Sequence, residues 1–207
     1  MYVPPAFSVD DRAWALELIE RYPFGILVTC DREYPFVTHL PMVAYERDGR
    51  TWIAGHVARA NPHEGAIEAR SAATAIFSGV HAFVSASWYA QPYETVPTWN
   101  YTAVHASGRL CDADPRDVLA RLVARFEGEA SGAWRLEGLR PAYLDNQLRG
   151  IRAFEFSIDR WDVKAKLSQN RTAEDRVRVE RALAASSRPL DRDCASEMRA
   201  FEDGARA

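Results

Sequence analysis

Residues 24–57, FGILVTCDREYPFVTHLPMVAYERDGRTWIAGHV, decide the fold class. They begin with a short apolar run over 24–30, which is typical of a buried strand, and residues 31–33 then predict a turn. Bulky and polar side chains alternate over 34–40, with the two-residue period of a half-buried strand. A second turn at RDGR, residues 47–50, leads into another strand over 51–57. We therefore predict an antiparallel meander.

Strand patterns continue beyond this stretch, and helical patterns flank them. Further β-rich runs are predicted over residues 73–78, 82–85, 98–106 and 154–167. Helices are predicted over residues 8–22, 114–128 and 141–148 and, in a charged tail, after Thr172. Strands with helices between them and at the ends favour a mainly β (α+β) protein, an antiparallel barrel with peripheral helices.

The charge balance and the hydropathy limit the classes of function. The chain has 26 Lys and Arg residues against 29 Asp and Glu residues, a net charge of −3. This balance argues against a protein that binds nucleic acid through a broadly basic surface. No run approaches the roughly 18 apolar residues of a membrane span, and residues 1–5 lack the basic and apolar regions of a signal peptide. We expect a cytoplasmic protein with no membrane partner.

Several common site motifs are missing from the sequence. The 11 glycines form neither GxGxxG nor GxxxxGK, which argues against a dinucleotide turn and a P-loop. The five histidines show no HExxH pattern and no close pairing with the three cysteines, so we predict no metal site. Three clusters of polar and aromatic residues remain as candidates.

The first cluster is GHVARANP, residues 55–62, at a strand end that leads into a short helix. His56 and Arg59 offer an imidazole and a guanidinium, and Asn61 stands beside the backbone N–H groups of the helix start. Together such groups are what a phosphate monoester needs. The alternative is a polar strand-to-helix turn in which Asn61 caps the helix.

The second cluster is VPTWNY, residues 96–101, in which the indole of Trp99 is followed by the amide of Asn100. Aromatic faces stack on planar heterocycles, and an amide can pair with a heterocycle's polar edge. The alternative is an aromatic core strand with a proline at its edge.

The third cluster is KAKLSQNR, residues 164–171, directly after an apolar strand. Its donors are Lys166, Ser168, Gln169 and Arg171, and they could reach a phosphate or a flavin edge. The alternatives are a solvated exit loop and, less favoured, a basic element for the minor groove of DNA.

Taken together, these clusters resemble a known family. With MYVP at residues 1–4, Phe7, THLP at 38–41 and His105, they follow the order and spacing of the PaiB family of FMN-binding transcriptional regulators. The resemblance implies a six-stranded antiparallel split β-barrel with peripheral helices, related to pyridoxamine phosphate oxidase and small flavin reductases. It also implies a homodimer with two FMN sites at the subunit interface. We assign residues 1–170 to the FMN-binding barrel domain and 171–207 to a C-terminal helical extension.

The resemblance also assigns roles to the clusters. It places His56, Arg59 and Asn61 near the FMN phosphate or ribityl chain, and Trp99 and Asn100 along the isoalloxazine region. The residues that would close the site, from the same or the partner subunit, are Lys166, Ser168, Gln169 and Arg171. Related FMN oxidases hold the phosphate with Arg and Lys residues on adjacent strands. Here His39 and His56 occupy strand positions with few cations nearby, so weaker FMN binding is expected.

Three functions compete at this point. The leading hypothesis is an FMN-binding homodimer of the PaiB type. The alternative is a flavin-dependent oxidoreductase that uses FMN with a nicotinamide or a small-molecule substrate, although the sequence offers no dedicated acid, base or nucleophile for it. Direct DNA binding is a third hypothesis, but the charge balance does not support it and no helix-turn-helix with a basic recognition face is evident.

Overall fold

The computed structural model describes residues 1–30, 33–129 and 134–204, and this part of the chain forms nine strands and six α-helices. The strands are β1 (Phe24–Thr29), β2 (Phe36–Pro41), β3 (Val43–Arg47), β4 (Arg50–Ala58), β5 (Ala72–Val84), β6 (Thr98–Arg109), β7 (Cys111–Asp112), β8 (Ile151–Ser157) and β9 (Arg160–Lys166). The helices are α1 (Arg12–Arg21), α2 (His63–Glu68), α3 (Pro115–Glu129), α4 (Pro141–Arg149), α5 (Ala173–Ala184) and α6 (Pro189–Gly204). The predicted α+β class is confirmed.

The strands form two antiparallel sheets. One has the order β2-β1-β5-β6-β9 and the other the order β3-β4-β8-β7. The predicted hairpins are present, since β1 pairs with β2 and β3 pairs with β4, each antiparallel. Asp48 and Gly49 take positive φ values of 53° and 70°, as a tight two-residue hairpin turn requires. Of the turn predicted at 31–33, residues 31 and 32 lie outside the described residues.

The continuous meander does not form, because the chain changes sheet between its two hairpins. Strands β2 and β3 are separated only by Met42, which is fully buried and whose N–H donates to the Pro23 carbonyl at 2.9 Å. The single strand predicted over 154–167 is likewise two strands. Ile158 N–H donates to Thr51 O at 3.0 Å and Asp159 N–H to Ser107 O at 2.8 Å, which takes these two residues out of the ladder. By contrast, the runs predicted over 73–78 and 82–85 join into the single strand β5.

The chain divides into two compact units. The first unit comprises Met1–Ala15, Ser78–Val104 and the described part of Asp162–Ala207; the second comprises the described parts of Leu16–Phe77 and His105–Trp161. These boundaries do not coincide with the predicted division at residue 170, which stays a prediction.

The second unit packs α3 against the β3-β4-β8 sheet. Its apolar contact consists of Val43, Ala54 and Ala153 from the strands with Val118 and Leu122 from α3, all buried. The stripe of apolar residues that predicted this helix therefore faces the sheet. No helix within residues 1–30, 33–129 and 134–204 combines the length and the apolar character that crossing a bilayer requires.

The first unit contains α5 and α6, which pack on each other and bury Val179, Leu183, Cys194 and Met198. Thr172 caps α5, as predicted, because its hydroxyl accepts from Asp175 N–H at 3.2 Å. The N-terminal segment runs beside β9, where Val9 N–H donates to Val163 O at 3.3 Å.

Candidate functional site

Three cations cluster at the end of β9 in the first unit. Lys164 and Lys166 belong to the strand, and Arg171 follows in the next turn. The Lys166 ammonium donates to the Thr98 hydroxyl at 2.6 Å and to the Trp99 carbonyl at 2.5 Å. The Lys164 ammonium donates to the Tyr2 carbonyl at 3.1 Å.

This cation cluster, Lys164, Lys166 and Arg171, has no negative charge of its own. Within the described residues, none of the three forms an ion pair with a carboxylate. Burial lowers the pKa of the Lys166 ammonium below its ordinary value, and the charges of Lys164 and Arg171 lower it further. The cluster is therefore suited to an anion supplied from outside the chain.

An exposed aromatic surface lies in the same unit. Trp99 of β6 is 48% exposed and Phe83 of β5 is 41% exposed, with ring centroids 5.9 Å apart in an edge-on arrangement. The imidazole of His81 lies 6.3 Å from the Trp99 ring. We call Trp99, Phe83 and His81 the aromatic surface. Because Lys166 donates to the backbone of Trp99 itself, this surface adjoins the cation cluster.

The turn 167–171 is held by hydrogen bonds within the chain. Asn100, which is fully buried, donates to the Ser168 hydroxyl at 3.0 Å, and that hydroxyl donates back to Asn100 Oδ1 at 3.1 Å. Gln169 folds over its own turn, because its amide donates to Ala165 O at 2.6 Å and accepts from Leu167 N–H at 2.7 Å. These three side chains shape the turn that follows Lys166.

Arg171 ends this turn with its guanidinium over an aromatic ring. The guanidinium carbon lies 4.5 Å from the centroid of Tyr89, a cation–π contact. The Tyr89 ring is buried, and its hydroxyl oxygen has no hydrogen-bond partner in the described part of the chain. A buried hydroxyl of this kind normally has a hydrogen-bond partner, so Tyr89 carries an unused donor and acceptor beside Arg171.

In the second unit, Asn61 and Arg59 lie between β4 and α2. The Asn61 carbonyl oxygen of the side chain accepts from His63 N–H at 2.9 Å, and its amide donates to the Thr38 hydroxyl at 3.1 Å. Asn61 thus holds the turn that enters α2, one residue before the N-cap Pro62. Arg59 donates to Glu64 at 2.8 Å and to Arg149 O at 3.0 Å, so its charge is already paired.

His56 lies within β4, in the same unit. It is paired in register with Ala153 and shares a strand face with Ala54, and both alanines pack against α3. Its Nδ1 atom is buried and has no partner among the described residues, and burial lowers the pKa of the imidazole.

The nine predicted site residues therefore fall into two groups, one in each unit. The group in the first unit is Trp99, Asn100, Lys166, Ser168, Gln169 and Arg171. Hydrogen bonds bring all of these except Arg171 together around β6 and the turn 167–171. The group in the second unit is His56, Arg59 and Asn61. As ligands of a cofactor, all nine stay predictions.

Sequence reasoning missed part of the arrangement. Phe83 was predicted only as a member of a β-rich run, and His81 only as one of five histidines without a metal pattern. Both are exposed at alternating positions of β5, beside Trp99. The two-residue period was the available signal, because it puts 81 and 83 on one face. Tyr89 carried no such signal, since its contact with Arg171 joins residues 82 positions apart in sequence.

Comparison with known proteins identifies the family. Residues 1–160 match the family described as "Putative FMN-binding domain". The chain is 32% identical over 202 residues to the Bacillus subtilis (strain 168) protein named "Protease synthase and sporulation protein PAI 2", covering 96% of each chain. The chain belongs to the PaiB family of FMN-binding domains. This assignment confirms the predicted family and its cofactor, FMN.

Solved structures similar to this member of the family agree on the fold. The FAD and heme binding protein from Mycobacterium smegmatis superposes with a TM-score of 0.62 at 16% identity, covering 82% of this chain and 78% of that one. The flavocytochrome Anf3 from Azotobacter vinelandii gives 0.56 at 21% identity, covering 82% and 74%. At these identities the likeness concerns the fold alone, and it confirms the predicted split-barrel class.

The residues of the first unit fit the chemistry of FMN. FMN has a planar aromatic ring system and a phosphate that carries up to two negative charges. The aromatic surface offers stacking faces, and the cation cluster offers charges that no carboxylate of the described residues neutralises. The unpartnered Tyr89 hydroxyl adds a polar group beside Arg171.

Proposed function

We propose that the chain functions as an FMN-binding homodimer, with the flavin held at the subunit interface by residues of the first unit. The observation that carries this proposal is the cation cluster without a carboxylate, beside an exposed aromatic surface. Lys166 and Arg171 would hold the phosphate, and Trp99 would contact the isoalloxazine ring. Asn100, Ser168 and Gln169 would act by shaping the turn.

The second-unit residues have a smaller part in this proposal. Arg59 is half-exposed and paired with Glu64, so a phosphate would have to compete for its charge. The hydrogen-bonding groups of Asn61 are used at the start of α2. We propose that both contribute less to FMN affinity than Lys166 and Arg171.

The dimer is supported by the apolar surface of the first unit. Tyr93 is fully exposed and Val96 is 69% exposed, in the loop between β5 and β6 that leads to Trp99. Large apolar groups grouped on a surface mark sites of association. A second copy of the chain would cover them and enclose the flavin.

The test of FMN binding is a fluorescence titration of the purified protein with FMN. We expect saturable quenching of the flavin, and an Arg171→Gln variant is expected to bind roughly tenfold more weakly, because a charged donor to the phosphate is lost. Arg178→Gln is the matched control, since Arg178 is exposed on α5 and pairs with Glu174 four residues earlier. No quenching by the wild-type chain would overturn the proposal.

The dimer is tested separately by sedimentation velocity with detection at a flavin wavelength. A dimer that carries two flavins is the expected species. If a monomer is found and it binds FMN as tightly as the unfractionated protein does, the interface site is contradicted, while FMN binding itself stands.

His81 gives the oxidoreductase alternative one specific observation in its favour. Bound FMN supplies hydride and electron transfer, and an enzyme would need a group nearby that exchanges protons. The exposed imidazole of His81 lies 6.3 Å from the Trp99 ring. Anaerobic mixing with NADH or NADPH decides between the two: flavin bleaching faster than that of free FMN favours an enzyme, and its absence favours a binding protein.

A further inference from the structure

We propose that the C-terminal helix pair α5–α6 is a positioning element of the FMN site, acting through Arg176 and Met198 on the turn 167–171. The inference rests on the proposed function and deepens it. It concerns a part of the chain beyond residues 1–160, the segment that the family match covers.

The first connection runs from Arg176 of α5 to the backbone of Arg171. Arg176 Nη1 donates to the Arg171 carbonyl at 3.1 Å, and its Nε donates to Glu202 of α6 at 2.6 Å. The Arg171 N–H donates to Ser168 O at 2.9 Å. Both backbone polar groups of Arg171 are therefore fixed, one by the turn and one by the helix pair.

The second connection runs from Met198 of α6 to the other end of the turn. The Asn100 amide that donates to the Ser168 hydroxyl also donates to Met198 Sδ at 3.4 Å. Asn100 and Met198 are both buried, as is Ser168. The α6 helix thus completes the environment of the amide that holds Ser168.

The turn needs these restraints for two reasons. Ser168 adopts a left-handed backbone conformation with φ of 69°, which is unfavourable for a residue with a Cβ atom. In addition, the charges of Arg171 and Lys164 act on Lys166 and lower its pKa, so like charges repel where the turn brings them together. A turn under strain and repulsion keeps its shape only while its surroundings hold it.

Holding the cations in place before the anion arrives should raise affinity. When binding of a ligand has to order the protein groups that contact it, part of the interaction free energy is lost to that ordering. The helix pair would remove this cost by fixing Arg171 and the turn after Lys166. Arg176, Glu202 and Met198 are thus positioning residues, with no contact to FMN required.

The experiment compares Arg176→Gln with Arg199→Gln in the full chain. Both substitutions remove one positive charge and one ion pair between α5 and α6, because Arg176 pairs with Glu202 and Arg199 pairs with Glu180 at 2.7 Å. Only Arg176 also donates to the turn. Two quantities are measured, the dissociation constant of FMN and the hydrogen-exchange rate of residues 167–171 without FMN.

We expect Arg176→Gln to weaken FMN binding roughly fivefold and to speed exchange in the turn, and Arg199→Gln to stay within about twofold of wild type. Arg176→Lys should restore part of the affinity, because an ammonium can still reach a carbonyl. If Arg176→Gln does not fold, Glu202→Gln is used in its place. This variant removes the ion pair of Arg176 but leaves the Arg176 guanidinium and its charge present.

The outcomes separate this inference from the proposed function. If wild type binds no FMN, the proposed function fails, and the exchange rates alone decide whether the helix pair orders the turn. If wild type binds FMN and Arg176→Gln matches Arg199→Gln in both affinity and exchange, the positioning role is wrong while the FMN site stands.

Discussion

Among the residues of the proposed FMN site, Lys166 is the one whose protonation we expect to affect FMN binding most. Burial and two neighbouring cations lower the pKa of its ammonium from the ordinary 10.5, so it loses its charge at a lower pH than an exposed lysine. The FMN phosphate keeps its charge over the same range. We expect FMN affinity to fall as the pH rises toward the ordinary lysine pKa of 10.5, with the fall beginning at a lower pH than an exposed lysine would give, and Lys166→Met to show weaker binding with less pH dependence. An equally steep decline in the variant would contradict the assignment.

His56 links protonation to the stability of the fold. Burial lowers the pKa of its imidazole from the ordinary 6.5 in the folded state. The unfolded chain therefore binds more protons than the folded chain below about pH 6.5, and stability falls as the pH falls through this region toward the folded pKa. We expect the loss of Tm between pH 7.5 and 5.5 to be smaller in His56→Gln than in wild type. Equal losses would show that His56 stays solvated.

Several predicted ligands have structural partners that a sequence does not display. The sequence shows that Asn61, Asn100, Ser168 and Gln169 are rich in donors and acceptors, which made them candidates. It does not show that Asn100 and Ser168 bond to each other across 68 residues, or that the Asn61 side chain accepts from His63 N–H at the start of α2. The cations are different, because the density of donors at residues 164–171, directly after an apolar strand, already made this segment a candidate for binding a phosphate.

At the scale of elements, the close packing of β6 on β8 gives a test of the fold. A Cβ atom at Gly108 would lie 2.3 Å from Ser157 O and 2.7 Å from Phe156 Cδ2, so backbone would have to move. We expect Gly108→Ala to lower the free energy of unfolding by about 2–3 kcal/mol in urea denaturation.

Gly65→Ala is the matched control for this substitution. Nothing lies within 4 Å of a Cβ atom at Gly65, which is in α2, so this change should be neutral or slightly stabilising. Loss of less than about 0.5 kcal/mol in Gly108→Ala would contradict the described packing.

The elements themselves were largely predictable, whereas their assignment to sheets was not. Hydrophobic period and turn residues gave the hairpins β1–β2 and β3–β4 and the helix α3. The change of sheet at Met42 leaves no mark in the period, because strands of both sheets alternate in the same way. The interruption at residues 158–159 is set by hydrogen bonds to Thr51 and Ser107, which are distant in sequence.

At the scale of the whole molecule, a net charge of −3 coexists with a local cluster of cations. This distribution suits one small phosphorylated cofactor better than a polyanion such as DNA, because a polyanion needs cations spread over a wide surface. The homodimer and the cytoplasmic location stay predictions. Family membership fixes FMN as the cofactor.

A crystal structure of the protein with FMN tests directly where the flavin binds. For the proposed site we expect isoalloxazine density against Trp99 and the phosphate within hydrogen-bond distance of Lys166 or Arg171, with a second copy of the chain enclosing the flavin. FMN bound elsewhere, with its phosphate on Arg59 and no contact to the cation cluster, would contradict it.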